Sequence, residues 1–404
     1  GKRMACKWRK RKLYRDGDRS DEKMRIALID GTKKHTYYPV GLLRIGAMLK
    51  DKGHDVKLFY KDMPKEADDF DEYWISAIFT FEITHVKKLI RMLAKKGKVR
   101  VGGISPTLMP EAFNGEPCEL SLGKMADAER YPLDYSLLGD PPEYSMAKIT
   151  DGCIRKCGFC AVHRLEPQYI ERPRWKEDIL PTTKYVVLSD NNYTARPLEL
   201  MEKDAEYFSA LVKNTQNRFI DFNQAIDARL ITPEMARILG QMPISPVRFS
   251  YDGPQESGHI QKAISLMAEN GKKQFVIYML YNFTDTIDFA YIRMRELVGL
   301  GISLGVSLSV FPMRYQPLDT IDEDRKYIGK HWTEQARKNF MSALNHYSIG
   351  GTFSFDDIKD FEFWLGKDKD EFVRLMAYPK AQQLFSKKKE ILRQERRRRK
   401  EEAL

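Results

Sequence analysis

Along the first third of the chain, short apolar runs alternate with stretches of helical periodicity. Met24–Asp30 (MRIALID) is an apolar run of strand length. In Val40–Lys52, Leu42, Leu43, Ile45, Met48 and Leu49 fall near helical spacing, and Gly53 provides a stop. Asp55–Tyr60 predicts a second strand, Trp74–Phe81 a third, Glu82–Lys96 a helix, and Val99–Val101 a fourth strand ending in Gly102-Gly103. Strands alternating with helices predict a parallel α/β sheet, here over residues 24–115. Residues 116–142 carry Pro117, Pro132, Gly139, Pro141 and Pro142 with little periodicity, and read as a linker.

The alternation then resumes. Strand-like runs fall at Ser145–Thr150, Tyr185–Ser189, Phe219–Gln224, Val247–Tyr251, Phe275–Tyr281 and Ile302–Phe311, with helical patterns such as Leu198–Leu211 and Thr232–Gly240 between most of them. Repeated βα units over residues 143–320 predict a partial barrel more naturally than an open sheet. In the last run Ile302, Leu304, Val306, Leu308 and Val310 alternate with Ser303, Gly305, Ser307 and Ser309. That predicts a strand with an apolar outer face and an inner face of small residues, which leaves the barrel axis open to a ligand. Residues 321–404 turn helical and charged: Thr333–Tyr347 starts at an N-cap with Glu334 in its first turn, and Ala381–Ala403 is a long charged helix. The expected fold class is therefore α/β: an N-terminal Rossmann-like parallel sheet, a partial (β/α)6 barrel and a helical C-terminal extension.

Composition narrows the picture. With 404 residues and 42% hydrophobic positions, the chain can bury a sizeable core, which excludes a wholly disordered protein. No apolar run approaches the ~18–20 residues of a membrane helix, and no apolar core follows the basic start as a signal peptide would require. Five cysteines in this length are no disulfide framework, so a reducing cytoplasm is expected. The net charge of +11 belongs to the two ends: residues 1–23, a basic arm, hold ten Lys/Arg against four Asp/Glu, and residues 387–404 hold nine against four. Lys7–Lys12 with Trp8 and Tyr14 nearby, and Arg396, Arg397, Arg398, Arg399 and Lys400, are candidate nucleic-acid contacts; a solvated tail accounts for the same runs.

The densest chemistry is Cys153-Ile-Arg-Lys-Cys157-Gly-Phe-Cys160. Thiolates select iron–sulfur clusters, zinc or copper(I). A structural zinc site takes four ligands, usually as two separated pairs, and His163 stands at no common finger offset. Three thiolates in one tight loop suit a four-iron cluster with one iron left open for substrate or cofactor. The spacing CxxxCxxC, with Phe159 before the last cysteine and the loop just after the first strand of a barrel, resembles the radical S-adenosylmethionine superfamily. The resemblance implies a [4Fe–4S] cluster on Cys153, Cys157 and Cys160, with S-adenosylmethionine on the open iron. It also implies reductive cleavage to a 5′-deoxyadenosyl radical, hydrogen abstraction from a substrate, and an external electron donor.

By the same resemblance Val186–Tyr193 (VVLSDNNY) looks like the second-strand element that holds the methionine amino group, through Asp190, Asn191 and Asn192, while Arg229 supplies a carboxylate partner. Phe159 is counted with them as a cofactor contact, and Asp227, Tyr251 and Asn282 as a substrate rim. Tyr38–Val56 and Val101–Glu111 resemble recurring elements of the cobalamin-binding-type domain that precedes some of these barrels. No DxHxxG motif is present, Ser105 stands where relatives often have His, and Asp151 replaces an Arg common before the Gly-Cys pair. This leaves two alternatives for the first unit. It binds cobalamin, with methylation as the reaction, or it is a Rossmann-like domain that only shapes the entrance. A different class of function stays open beside the enzyme: a nucleic-acid-binding protein whose cysteine loop is structural, or a radical enzyme that modifies nucleic acid.

Overall fold

The computed structural model describes residues 23–402, apart from 66–67, 214–217, 322, 348–351, 353 and 356. The expected basic arm, with Lys7–Lys12, lies outside the described residues, as do the side chains of Arg396, Arg399 and Lys400.

The first unit is a parallel five-stranded sheet. Its strands are β1 (Arg25–Asp30), β2 (Asp55–Phe59), β3 (Glu72–Ser76), β4 (Lys98–Gly102) and β5 (Glu119–Ser121), in the order β2-β1-β3-β4-β5. The helices α1 (Val40–Asp51), α2 (Ile83–Leu93) and α3 (Ile104–Leu108) connect them. β1 is an interior strand, between β2 and β3, and Ile26, Ala27, Leu28 and Ile29 are all fully buried. A strand covered on both faces has no polar alternation, which is why MRIALID reads as a continuous run. β5 lies inside the stretch expected to be a linker. It pairs with β4 through Val101–Leu120 and Gly102–Ser121, and Ala128, Leu133 and Tyr135 beyond it are buried against α1 and β1. The turn residues of 116–142 punctuate a folded edge rather than a free connection.

The second unit has six parallel strands that neighbour one another in chain order. β6 (Tyr144–Ala147) is followed by a short hairpin, β7 (Thr150–Asp151) against β8 (Ile170–Glu171), with α4 (Val162–Leu165) between them. Then come β9 (Tyr185–Leu188), α5 (Leu198–Lys213), β10 (Phe219–Phe222), α6 (Pro233–Gln241), β11 (Val247–Ser250), α7 (His259–Glu269), β12 (Gln274–Tyr281), α8 (Ile287–Leu304) and β13 (Ser307–Arg314). The strands form two sheets, β6-β9-β10 and β11-β12-β13. Between them run an isolated parallel bridge, Ile226–Phe249, and the ion pair of Arg248 Nε with Asp221 Oδ1 at 2.5 Å.

The last strand starts later than its alternation predicts. α8 continues through Ile302, Ser303 and Leu304, and Gly305 ends it in the left-handed region at φ 59°. β13 then begins at Ser307 and ends at Arg314. Leu308 and Val310 are buried as expected, but Ile302 is exposed on the helix. The third expected strand is likewise shorter: β3 ends at Ser76, and Thr80–Glu82 form a 3-10 turn. Four further helices, α9 (Glu334–Tyr347), α10 (Ile358–Leu365), α11 (Lys369–Ala377) and α12 (Ala381–Glu402), close on α8. Phe340, Trp364, Phe372 and Phe385 join the core of the second unit, so this extension is part of that unit's hydrophobic interior.

The two units are fastened together. Met146 and Val187 share a core with Ile26, Leu28 and Leu42. Arg44 on α1 pairs with the buried Asp178 and donates to the Tyr131 carbonyl at 2.5 Å. Tyr37 donates to Asn223 Oδ1 at 2.7 Å. No helix among the described residues is long and apolar enough to cross a membrane.

Candidate active site

The cysteine loop leaves β7 through Gly152, at φ +77°, where a Cβ would stand 2.1 Å from the Gln168 carbonyl oxygen. Only glycine fits that close approach in that conformation. The three thiols of Cys153, Cys157 and Cys160 are free and half-buried. Burial pushes the Cys157 thiol up; Arg229 pulls it down, and Cys160 and Cys153 push it up again. Burial also raises Cys160, against the backbone N–H of Val162, with Cys153 adding to the rise. The three sulfurs are therefore electrostatic neighbours. Among the described residues, however, no three His, Cys, Asp or Glu side chains converge closely enough to ligate a single metal ion.

Neighbouring residues anchor this loop. Arg155 donates from Nε to Asp227 Oδ2 at 2.6 Å, and its backbone N–H lies 3.4 Å from Cys153 Sγ. Asn192 donates from Nδ2 to Cys153 Sγ at 3.3 Å. The Phe159 ring packs edge-on against Phe283, with centroids 5.8 Å apart. On the exit side, Glu166 accepts from Gly152 N and Asn191 Nδ2, both at 2.7 Å, and pairs with Lys124 and Lys148. Asp151 lies between Lys124, Lys148 and Arg172. Burial alone would raise its carboxyl, but these cations hold it down at about 2.

A cavity of about 580 Å³ opens beside the loop. The ends of β3, β4 and β5 form one wall, through Ser76, Gly102 and Ser121; Lys148, Ser189 and Gln224, past β6, β9 and β10, form the other. Ala161 and Val162, directly after Cys160, complete the lining. The cavity thus lies at the carboxyl ends of both sets of strands, where parallel sheets bind ligands. Gly103, at φ +109°, lets the turn after β4 pass within 2.6 Å of the Ala77 carbonyl oxygen, counted from where a Cβ would be.

Several expected site residues take other places. Asp190 is buried and its Oδ1 accepts from Ile149 N at 3.0 Å, Thr150 N at 2.6 Å and Thr150 Oγ1 at 2.9 Å. Its carboxylate is committed to the β6–β7 junction instead of a ligand's ammonium. Tyr251 is fully buried, donating to Glu296 Oε2 at 3.0 Å while its carbonyl accepts from Arg293. It is core, not rim, because the strand end it occupies is covered by α8. Asn282, also fully buried and at φ 65°, donates to the Tyr327 carbonyl at 3.0 Å and accepts from Gly329 N at 2.8 Å. It latches the segment beyond β13 and faces no open rim. Arg229 holds Asp227 Oδ1 at 2.7 Å and approaches Glu256 Oε1 at 3.3 Å. Asp227 in turn accepts from both Arg155 and Arg229, which keeps its carboxyl below the usual range despite burial. Asn191 does line the cavity, and Asn192 and Phe159 do reach the loop. Arg397 and Arg398 lie exposed on α12. Sequence reasoning passed over Lys124, Lys148, Arg155, Glu166 and Arg172. The only local signal was charge density around the cysteine run.

No protein-family model matches the chain. Among curated proteins it is similar to ribosomal protein uS12 methylthiotransferases named RimO. That of Bradyrhizobium sp. (strain BTAi1) is 26% identical over 129 residues, covering 32% of this chain and 26% of that protein. That of Stenotrophomonas maltophilia (strain K279a) is 26% identical over 137 residues, covering 34% and 27%. That of Chlorobium limicola (strain DSM 245) is 39% identical over 41 residues, 10% of each chain. The chain spans about a quarter of the length of the first of these relatives. These weak homologues support the radical S-adenosylmethionine superfamily at the level of the superfamily.

Proposed function

We propose that this protein is a radical S-adenosylmethionine enzyme whose second unit is a partial (β/α)6 barrel. The observation that carries the reading is the meeting of three free thiols, spaced CxxxCxxC, with a ligand-sized cavity at the carboxyl ends of parallel strands. Three thiols in the spacing CxxxCxxC, with no second separated pair of ligands in the loop, suit a [4Fe–4S] cluster with one iron left open. When bound, that cluster and S-adenosylmethionine supply a 5′-deoxyadenosyl radical, with the electron coming from an external donor.

The chain's own residues position and protect. Gly152 turns Cys153 into the loop, Arg155 ties the loop to Asp227, and Asn192 orients the Cys153 sulfur. Phe159, directly before Cys160, is braced edge-on by Phe283. Asn191 lines the cavity and, with its Nδ2 held by Glu166, offers Oδ1 to a methionine ammonium. Arg229, whose Nε and Nη2 hold Asp227 and whose Nη1 approaches Glu256, braces the carboxylate that ties down Arg155. Apolar walls from Ile45, Ile75 and Leu165 exclude water from a reactive species. The function is hydrogen abstraction from, and modification of, a substrate inside a reducing compartment such as the cytoplasm.

Cobalamin-dependent methylation is the second reading. It has one observation in its favour: the cavity borders the strand ends of the first sheet, whose order β2-β1-β3-β4-β5 matches doubly wound nucleotide-binding sheets. Gly102, Gly103, Ile104 and Thr107 line it, but the loop Gly31–Pro39 does not, and no histidine is among the lining residues. A volume of about 580 Å³ is that of a site for one drug-sized ligand, and a corrinoid would require the two units to part. Anaerobic reconstitution with iron and sulfide, with and without hydroxocobalamin, tests both readings. About four irons per chain and no retained corrinoid band support the first alone. A desalted protein that keeps the corrinoid spectrum supports the second. Failure to hold iron removes both.

A further inference from the structure

The cavity between the two units is walled by apolar side chains and by charged ones that are already paired. Ile45, Trp74, Ile75, Ile104, Met125 and Leu165 stand on its apolar walls. Five cations also line it: Arg44, Arg100, Lys124, Lys148 and Arg172. Arg44 pairs with Asp178 and gives its other terminal nitrogen to the Tyr131 carbonyl. Arg100 pairs with Glu119 at 3.3 Å and lies over Trp74, 4.6 Å from the ring centroid. Its Nε has no partner but is buried, and presents no surface to a ligand. Lys124 reaches Asp151 Oδ1 at 2.6 Å and Glu166 Oε1 at 2.8 Å, and Lys148 pairs with the same two oxygens. Arg172 reaches Glu129 at 2.6 Å and Asp151 at 3.0 Å. Five cations thus meet five carboxylates, those of Asp178, Glu119, Asp151, Glu166 and Glu129.

A charged ligand entering this space must either displace a carboxylate from its cation or be buried without a counter-charge, and both are costly. An apolar group gains by leaving water for the same walls. The polar lining that stays unspent is uncharged. Ser76 and Ser121 bring hydroxyls from the ends of β3 and β5, and Gln224 brings an amide from beyond β10; none of these side chains bonds to another described residue. Hydroxyls and an amide pair with a hydroxyl, a carbonyl or another amide. Ala161 and Val162 put this lining directly beside Cys160. An apolar group also offers carbon–hydrogen bonds with no ionisable neighbour, which radical abstraction reaches and acid–base chemistry does not.

We propose that the cavity takes an uncharged, mainly apolar part of the substrate, a hydrocarbon chain or ring bearing hydroxyl, carbonyl or amide groups, and rejects phosphate, sulfonate and carboxylate groups. That this ligand is the substrate rests on the radical-enzyme reading; the preference for a neutral ligand rests on the lining alone. The charged pairs also fix the walls: Lys124 of the first unit and Lys148 of the second share Asp151 and Glu166, so the polar side of the cavity is set before a ligand arrives.

Anaerobic fluorescence titration of the full chain, before and after cluster reconstitution, tests this with two probes of one ring skeleton. N-phenyl-1-naphthylamine is neutral, and 1-anilinonaphthalene-8-sulfonate adds a sulfonate. Saturable binding of the neutral probe is expected in both preparations, at least about tenfold tighter than that of the sulfonate. Ile45→Trp and Ile104→Trp narrow the cavity from partly exposed positions, and each should weaken the neutral probe at least about fivefold with little change in melting temperature. Tyr185→Ser, which removes an exposed ring at the start of β9, should leave binding unchanged. Glu129→Gln leaves five cations facing four carboxylates and should narrow the gap between the probes at least about threefold. The proposal is overturned if the sulfonate binds the wild type as tightly as the neutral probe, if neither tryptophan variant weakens the neutral probe, or if Glu129→Gln leaves the gap unchanged. A chain that holds no iron yet keeps the preference loses the radical reading and retains this site. One that cleaves S-adenosylmethionine but prefers the sulfonate loses this inference alone.

Discussion

Asn192 Nδ2 lies 3.3 Å from the sulfur of Cys153, and the same amide is 3.4 Å from Asp227 Oδ2. One buried amide thus joins the first cysteine to the carboxylate that pins Arg155. A hydrogen bond to a ligating sulfur favours the more negative, reduced state of a cluster. Asn192→Leu should therefore lower the potential of the reconstituted centre by some tens of millivolts while leaving its iron content unchanged. An anaerobic redox titration followed by electron paramagnetic resonance measures this, and an unaltered potential would remove the sulfur contact from the account.

Gly152→Ala should damage the loop without touching a thiol. A side chain at φ +77° costs about 1–2 kcal/mol, and its Cβ would collide with the Gln168 carbonyl. Lower iron retention is expected, together with a reduced urea midpoint. Normal iron and stability would mean that the backbone there relaxes freely.

Arg44 and Asp178 bind the first unit to the second from buried positions. Removing one member of such a pair leaves the other charge stranded, at about 3–5 kcal/mol. Arg44→Met should lower unfolding stability by that order, and Arg44→Met with Asp178→Asn should recover much of it. Equal losses in the single and double variants would contradict the coupling.

Asp190 makes stability depend on pH in an identifiable direction. Burial raises its carboxyl to about 6, above the unfolded value of 3.8, although the donors from Ile149 and Thr150 oppose the rise. The folded state therefore binds the extra proton in that window, so this group's contribution to stability declines as pH rises from about 4 to 6 and is level above. Asp190→Asn keeps an oxygen for the donors and should flatten that slope. Asp190→Ala strands them and should cost several kcal/mol (each unsatisfied buried donor about 1–3). Urea unfolding across pH 4–8 (about two units either side of 6) distinguishes the two variants.

What could be read in advance was local. The Cys153–Cys160 spacing and Phe159 needed no partner from elsewhere, and the buried run of β1 announced an interior parallel strand. What could not be read depended on distant partners. Tyr251 is core because Glu296 and Arg293 of α8 cover it, and Asn282 is a latch because the chain returns at Tyr327–Gly329. Asp190 looks available beside two asparagines until Ile149 and Thr150 fold back onto it. The alternation of 302–310 persists through the last turn of α8, because a short polar–apolar alternation says nothing of where Gly305 takes up its left-handed conformation. β5 was hidden because a three-residue edge strand among prolines has too few positions to show a period.

The central claim is that Cys153, Cys157 and Cys160 present a cluster to S-adenosylmethionine. Its most direct test is to incubate the anaerobically reconstituted, reduced protein with S-adenosylmethionine and quantify 5′-deoxyadenosine and methionine. The account predicts both products from the wild-type chain and neither from Cys157→Ala. A protein that instead carries one tetrahedral zinc per chain and leaves S-adenosylmethionine intact would contradict it.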